Sequence, residues 1–144
     1  MRNEALRALE GLLGNWKLTM KNAWFIEDPD FEGEGTASFT WLGDAFLEMR
    51  ATLGTDQGTW HWVIGRSDAR GQLVLLYHDE RAVERVFQMT FADGEWTLLR
   101  EDPDFHQRFV ATVGADRIDS RWEASEDGGA TWRKDFDLIW ERQV

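Results

Sequence analysis

The chain has 144 residues with no cysteine, two prolines, three histidines, one tyrosine and nine tryptophans, and its 16 basic and 27 acidic side chains leave a formal net charge of −11. A balance this acidic repels phosphate backbones and anionic membrane surfaces, so nucleic acid is not an expected partner, and the lack of cysteine removes disulfides, thiol catalysis and the usual ligands of structural zinc. No apolar run approaches the roughly 18 residues of a membrane span, and Met1-Arg2-Asn3-Glu4 opens without a signal-peptide core, so the expectation is one cytoplasmic, soluble domain over 1–144 with no membrane insertion.

Asn3 is placed to cap a short helix over residues 3–13, in which Leu6, Leu9, Leu12 and Leu13 recur at helical spacing and which Gly14 would end. From Gly14 the apolar period falls from near 3.6 to 2, and a barrel is expected over 14–142. The first strand sets Trp16, Leu18 and Met20 against Lys17, Thr19 and Lys21. An acidic stretch, Glu27-Asp28-Pro29-Asp30, leads into strands over 36–42, 45–52 and 59–65, with Phe39 and Trp41, then Trp60, Trp62 and Ile64, in alternation. Strands over 72–78 and 86–91 follow, and Asp93-Gly94 is a two-residue hairpin signal joining the latter to 95–100. Segments 105–113 and 117–125 lead through Asp127-Gly128-Gly129 to a last strand over 130–142. About ten strands with short connections and no long crossover read as a closed antiparallel up-and-down β-barrel, closure being the arrangement that leaves no free edge.

Carried round the barrel, the phase of Trp16 turns Phe39, Trp41, Trp62, Tyr77, Phe87, Met89, Trp96, Phe109, Trp122, Phe136 and Trp140 inward, as core or as the lining of a cavity. Gln107, Ser120 and Arg100 share that phase and could accept or donate hydrogen bonds beside the buried indoles. An inward Arg100 needs a counter-ion, either a ligand carboxylate or Glu48 or Glu101. Glu48 and Arg50 share a face with Phe46, as an outer pair or a cluster in the cavity. His61 falls out of phase with its tryptophan neighbours, and His78 points opposite to Tyr77 and Asp79. Val74, Leu76, Val86, Leu99 and Val110 make an outer apolar sector that either the helix or a second copy in a homodimer would cover, the dimer being preferred. Glu27-Asp28-Pro29-Asp30-Phe31 recurs as Glu101-Asp102-Pro103-Asp104-Phe105: two good turns, or two neighbouring acidic loops offering a cation site at one barrel mouth.

Gly14-Asn15-Trp16 after a short helix, with Arg142 in the last strand, resembles the Gly-x-Trp start and closing basic residue of the calycin superfamily, which includes lipocalins and fatty-acid-binding proteins. The run Arg121-Trp122-Glu123-Ala124-Ser125-Glu126-Asp127-Gly128-Gly129-Ala130-Thr131-Trp132, with Asp135-Phe136-Asp137-Leu138, Tyr77-His78-Asp79 and Val86-Phe87-Gln88-Met89, is similar to a bacterial lipocalin-like domain family of unknown function. The resemblance implies that Arg142 packs over Trp16 to close the barrel base. Three branches fit less well. The stretch 25–34 is too short for the helical lid of fatty-acid-binding proteins. The disulfides, signal peptide and Thr-Asp-Tyr motif of secreted lipocalins are missing. Nitrobindin-like haem barrels extend the opening to Gly-x-Trp-x-Gly-x-Gly, whereas here Thr19 and Met20 follow, and no histidine follows His106, so haem would have to use His78 or His61.

The first functional expectation is a non-catalytic barrel that binds a small apolar or amphipathic ligand through Phe39, Trp41, Trp62, Tyr77, Phe87, Trp96, Arg100, Gln107 and Trp122. The second is a calycin-type enzyme, isomerase- or cyclase-like, working by acid–base chemistry at Tyr77, Asp79 or His78. The third is haem binding through His78. Nothing in the sequence requires a cofactor, and no phosphate-binding glycine loop, metal-ligand pair or catalytic triad order is present.

Overall fold

The change of period at Gly14 is a change of architecture. The structure, a computed structural model, describes residues 4–54, 58–69 and 71–144; Asn3, the expected helix cap, lies outside them. The N-terminal helix is a 3₁₀ helix over Glu4–Leu12. Leu6, Leu9 and Leu12 are spaced by three, which at three residues per turn stacks them on one edge, and all three are fully buried. Ten strands follow: β1 (Gly14–Lys21), β2 (Gly33–Leu42), β3 (Phe46–Leu53), β4 (Thr59–Arg66), β5 (Leu73–Asp79), β6 (Glu84–Ala92), β7 (Glu95–Glu101), β8 (His106–Val113), β9 (Arg117–Ser125) and β10 (Arg133–Gln143). Each pairs antiparallel with its neighbours in sequence, and β1 pairs with β10 to close the barrel. Asp93 and Gly94 both take positive φ, 54° and 78°, the turn that a two-residue hairpin demands. The last strand begins at Arg133 rather than 130, because residues 127–132 are committed to a side-chain-bonded turn.

That topology gathers the β1–β2, β3–β4, β5–β6, β7–β8 and β9–β10 connections at one end. The 3₁₀ helix plugs the other. Gly14 joins helix to β1 at φ 116°, and a Cβ there would stand 3.1 Å from Arg142 Nη1. Arg142 spans the closure: its Cζ lies 4.3 Å from the Trp16 ring centroid, Nη1 donates to Leu13 O (2.8 Å), Nε to Ala115 O (2.9 Å) and Nη2 to Gly11 O. Trp16 Nε1 donates to Leu12 O at 2.9 Å. The bonds to Gly11, Leu12 and Leu13 satisfy carbonyls that the end of the helix would otherwise leave orphaned, and the bond to Ala115 ties in the β8–β9 connection.

The middle of the barrel is a column of rings. Trp62 meets Trp96, Phe109 and Trp122 edge to face at centroid distances of 6.2, 6.3 and 6.1 Å, and Phe39 meets Trp96 and Trp140 below them. Trp140 Nε1 donates to Ser120 Oγ, which itself donates to Leu138 O. The indole N–H groups of Trp62, Trp96 and Trp122 have no oxygen or nitrogen acceptor among the described residues; what their edge-to-face neighbours offer is ring faces.

Two sequence alternatives resolve on the outer wall. Glu48 and Arg50 face out as a pair 3.1 Å apart. The helix is committed to the barrel base and does not cover the sector of Val74, Leu76, Val86, Leu99 and Val110, where Val86 is 53% exposed. No helix among the described residues is long and apolar enough to cross a membrane.

Candidate functional site: a cavity at the open end

The open end is roofed by the β1–β2 connection, which is tied down across the closure seam. Trp24 N donates to Asp135 O (3.2 Å) and its Nε1 to Asp135 Oδ1 (2.9 Å), while Arg133 lies 4.1 Å over the indole. Phe25 then meets Phe136 edge to face at 6.2 Å. Beneath this roof is a cavity of about 390 Å³, within the range of small-molecule sites. Trp60, Trp122, Phe136, Tyr77 and Phe105 supply its apolar wall with Trp24, Phe25 and Ala124; Arg81, Arg85, Gln107, Glu126, Arg133 and Asp135 supply its polar part. Trp60 stacks between Trp62, at 6.0 Å and 15°, and Phe136, at 6.4 Å and 25°, so its plane is held by packing.

Tyr77 and Asp79 point the same way at the end of β5. The Tyr77 hydroxyl donates to Asp79 Oδ2 at 2.9 Å, and Arg81 clasps the same carboxylate through Nη2 (2.6 Å), Nε (3.1 Å) and its backbone N–H (2.9 Å). Burial, then the adjacent Asp79 charge, pushes the Tyr77 phenol above its ordinary value. For Asp79 burial pulls upward, but the hydrogen bonds from Arg81 outweigh it and hold the carboxyl low. At neutral pH the pair is therefore a protonated phenol and an ionised carboxylate bonded to each other.

The histidines lie elsewhere. His78 sits on the outer wall, with Nε2 3.0 Å from Glu84 Oε1 and Nδ1 3.1 Å from His61 O. His61, stacked on it at 5.6 Å, bonds Glu48 at 2.7 Å. Neither ring lines the cavity, and His78 is separated by the strand from Tyr77 and Asp79.

Arg100 faces in, 8% exposed, and finds its counter-ions locally: Asp102 Oδ2 is 2.9 Å from Nε, Asp104 Oδ1 is 3.0 Å from Nη2, and Nη1 donates to Phe105 O. Asp102 and Asp104 thus take the place expected for Glu48 or Glu101. Both Glu-Asp-Pro-Asp-Phe copies lie at the open end, but the second folds around its own arginine. In the first, Asp28 Oδ1 accepts the Asp30 N–H, as a turn. No group of three or more His, Asp or Glu side chains among the described residues is placed to hold a metal ion.

Of the nine residues expected to bind a ligand, Tyr77, Gln107 and Trp122 line the cavity, and Phe136 of the wider inward set lines it too. Phe39, Trp62, Phe87 and Trp96 pack in the ring column, and Trp41 lies at the plugged end, half-buried, where β2 pairs with Leu47 of β3. Arg85 was readable in principle: it precedes Phe87 and Met89 in the inward phase of β6, as Arg100 follows Trp96 and Leu98 in β7. Trp24 and Phe25 stand outside the strands and carry no periodic signal, whereas Phe105 lies one residue before β8 in the phase of Gln107 and Phe109.

No protein-family model and no curated protein sequence matches the chain. Among solved structures it is similar to Rv2717c from M. tuberculosis, over 100% of both chains with a TM-score of 0.68 and 15% sequence identity, a likeness of fold alone.

Proposed function

We propose that the protein is a calycin-type barrel, akin to the bacterial lipocalin-like domains, that binds one small amphipathic molecule in the open-end cavity and performs no chemistry on it. The observation that carries this reading is the cavity itself: about 390 Å³ bounded by held aromatic rings with arginines at its edge, above a column of packed rings in the middle of the barrel. The Tyr77–Asp79 pair, protonated and ionised respectively at neutral pH, supports binding over acid–base catalysis.

The indole N–H resonances test the reading site by site. Titration of 15N-labelled protein with 2-naphthamide is expected to shift the signals of Trp24, Trp60 and Trp122 saturably at one ligand per chain, leaving those of Trp16 and Trp140 at the plugged end in place. Absence of saturable shifts, or shifts centred on Trp16 and Trp140, would overturn it.

A further inference from the structure

Among the described residues, every arginine at the open end except one has a carboxylate. Arg81 holds Asp79 at 2.6 Å, Arg100 holds Asp102 and Asp104, Arg108 reaches Glu123 at 2.7 Å, and Arg133 stands 3.8 Å from Asp135. Arg85 is the exception. It lies on the inward face of β6 opposite Tyr77, half-buried in the cavity wall, with its Cζ 5.6 Å from the Tyr77 ring and 5.2 Å from that of Phe105. Among the described residues its guanidinium makes one hydrogen bond, from Nη1 to Gln107 Oε1 at 3.2 Å, and no carboxylate comes within ion-pair distance of it.

That arrangement runs against the composition. A chain with net charge −11 has carboxylates to spare, yet leaves a guanidinium partly desolvated beside two other arginines. Burial, joined by the charges of Arg100 and Arg81, holds Arg85 below its ordinary pKa, so an anion arriving there relieves a standing cost. The planar fork retains donors beyond the Gln107 bond, in the geometry that matches a carboxylate.

We infer that the ligand of this cavity is an aromatic or similarly flat apolar carboxylate, its anionic group received by Arg85 and its body lying against Trp60, Trp122 and Phe136. The inference rests on the binding reading above. A carboxylate is favoured over a phosphate because a single positive charge stands uncompensated and because Glu126 and Asp135 in the same wall repel a dianion more strongly than a monoanion.

The test is calorimetric titration of the intact protein with 2-naphthoate, 2-naphthamide and 2-naphthyl phosphate, repeated on Arg85→Met and Arg85→Lys. The expected result is 2-naphthoate binding about tenfold or more tighter than the amide, the gap closing in Arg85→Met and narrowing partly in Arg85→Lys. Equal affinity of acid and amide for the unaltered protein overturns the carboxylate while leaving the binding reading intact; stronger binding of the phosphate also overturns it. Binding of none of the three removes both. Should Arg85→Met fail to fold, Arg85→Lys decides: an undiminished preference for the acid there shows that the fork is not the receptor.

Discussion

The two ends of the barrel use one pairing, an arginine beside an aromatic ring, to opposite effect. At the plugged end Arg142 lies 4.3 Å from Trp16 and gives its donors to the carbonyls of Gly11, Leu13 and Ala115. At the open end Arg85 lies beside Tyr77 and Phe105 and gives a single bond to Gln107. The difference comes from the neighbouring backbone. A helix terminus presents unpaired carbonyls that need donors, so an arginine there becomes a structural tie. The open-end connections draw their partners from elsewhere: Asp28 bonds Asp30, Asp127 bonds Ser125 and Thr131, and the Phe105 carbonyl accepts from Arg100, none of them from Arg85. Its capacity stays available to something from outside.

The same replacement at both ends should break the comparison if it is wrong. Arg142→Met strips three carbonyls of their donor and is expected to cost about 2 kcal/mol of unfolding free energy, read by urea denaturation. Arg85→Met removes a charge with no counter-ion and fills the same apolar wall, so stability should change by less than about 0.5 kcal/mol in either direction. Equal losses would mean that Arg85 is structural too.

A second pair of substitutions compares indoles along the column. Trp140 and Trp62 are both fully buried, but Trp140 Nε1 bonds Ser120 whereas Trp62 Nε1 has no oxygen or nitrogen acceptor among the described residues. Replacing either by Phe removes the same atoms. Trp140→Phe should therefore cost about 1 kcal/mol more than Trp62→Phe, the difference being the lost hydrogen bond. Equal costs would show that the Trp62 N–H gains as much from its ring neighbours as Trp140 gains from a hydroxyl.

Much of the frame was legible in the sequence because it depends on local periodicity. Alternation identified the strands, Asp93-Gly94 the hairpin, and Gly14-x-Trp16 with Arg142 the closure, each a feature whose physical cause lies within a few residues or in one close pair. The site was less legible for the opposite reason. Phase alone shows that Arg85 and Arg100 both face inward, but not that Asp102 and Asp104 fold back onto one of them and leave the other unpaired. Trp24 and Phe25 belong to a connection whose position is set by bonds to Asp135, more than a hundred residues away in the chain. Residues 130–132 read as strand because their neighbours do; side-chain bonds to Asp127 take them into a turn instead.

That turn offers the smallest effect and the cleanest sign. Asp127 accepts from the Thr131 hydroxyl, the Thr131 N–H at 2.8 Å and the Ser125 hydroxyl at 2.8 Å, between the cavity residues Glu126 and Arg133. Led by the Thr131 hydroxyl, these bonds hold its carboxyl down to about 2 from an ordinary 3.8. A carboxyl whose folded value is depressed contributes stability that is fully present above the unfolded value and is lost as pH falls through the folded one. Asp127→Asn should therefore lower Tm slightly at pH 7, and its deficit relative to the unaltered chain should shrink between about pH 4 and pH 2 as the native aspartate takes up its proton. Differential scanning calorimetry of both chains across that window checks it. A deficit that does not change with pH would mean that the oxygen's position, which Asn retains only in part, holds the rim of the cavity, and that the charge contributes nothing.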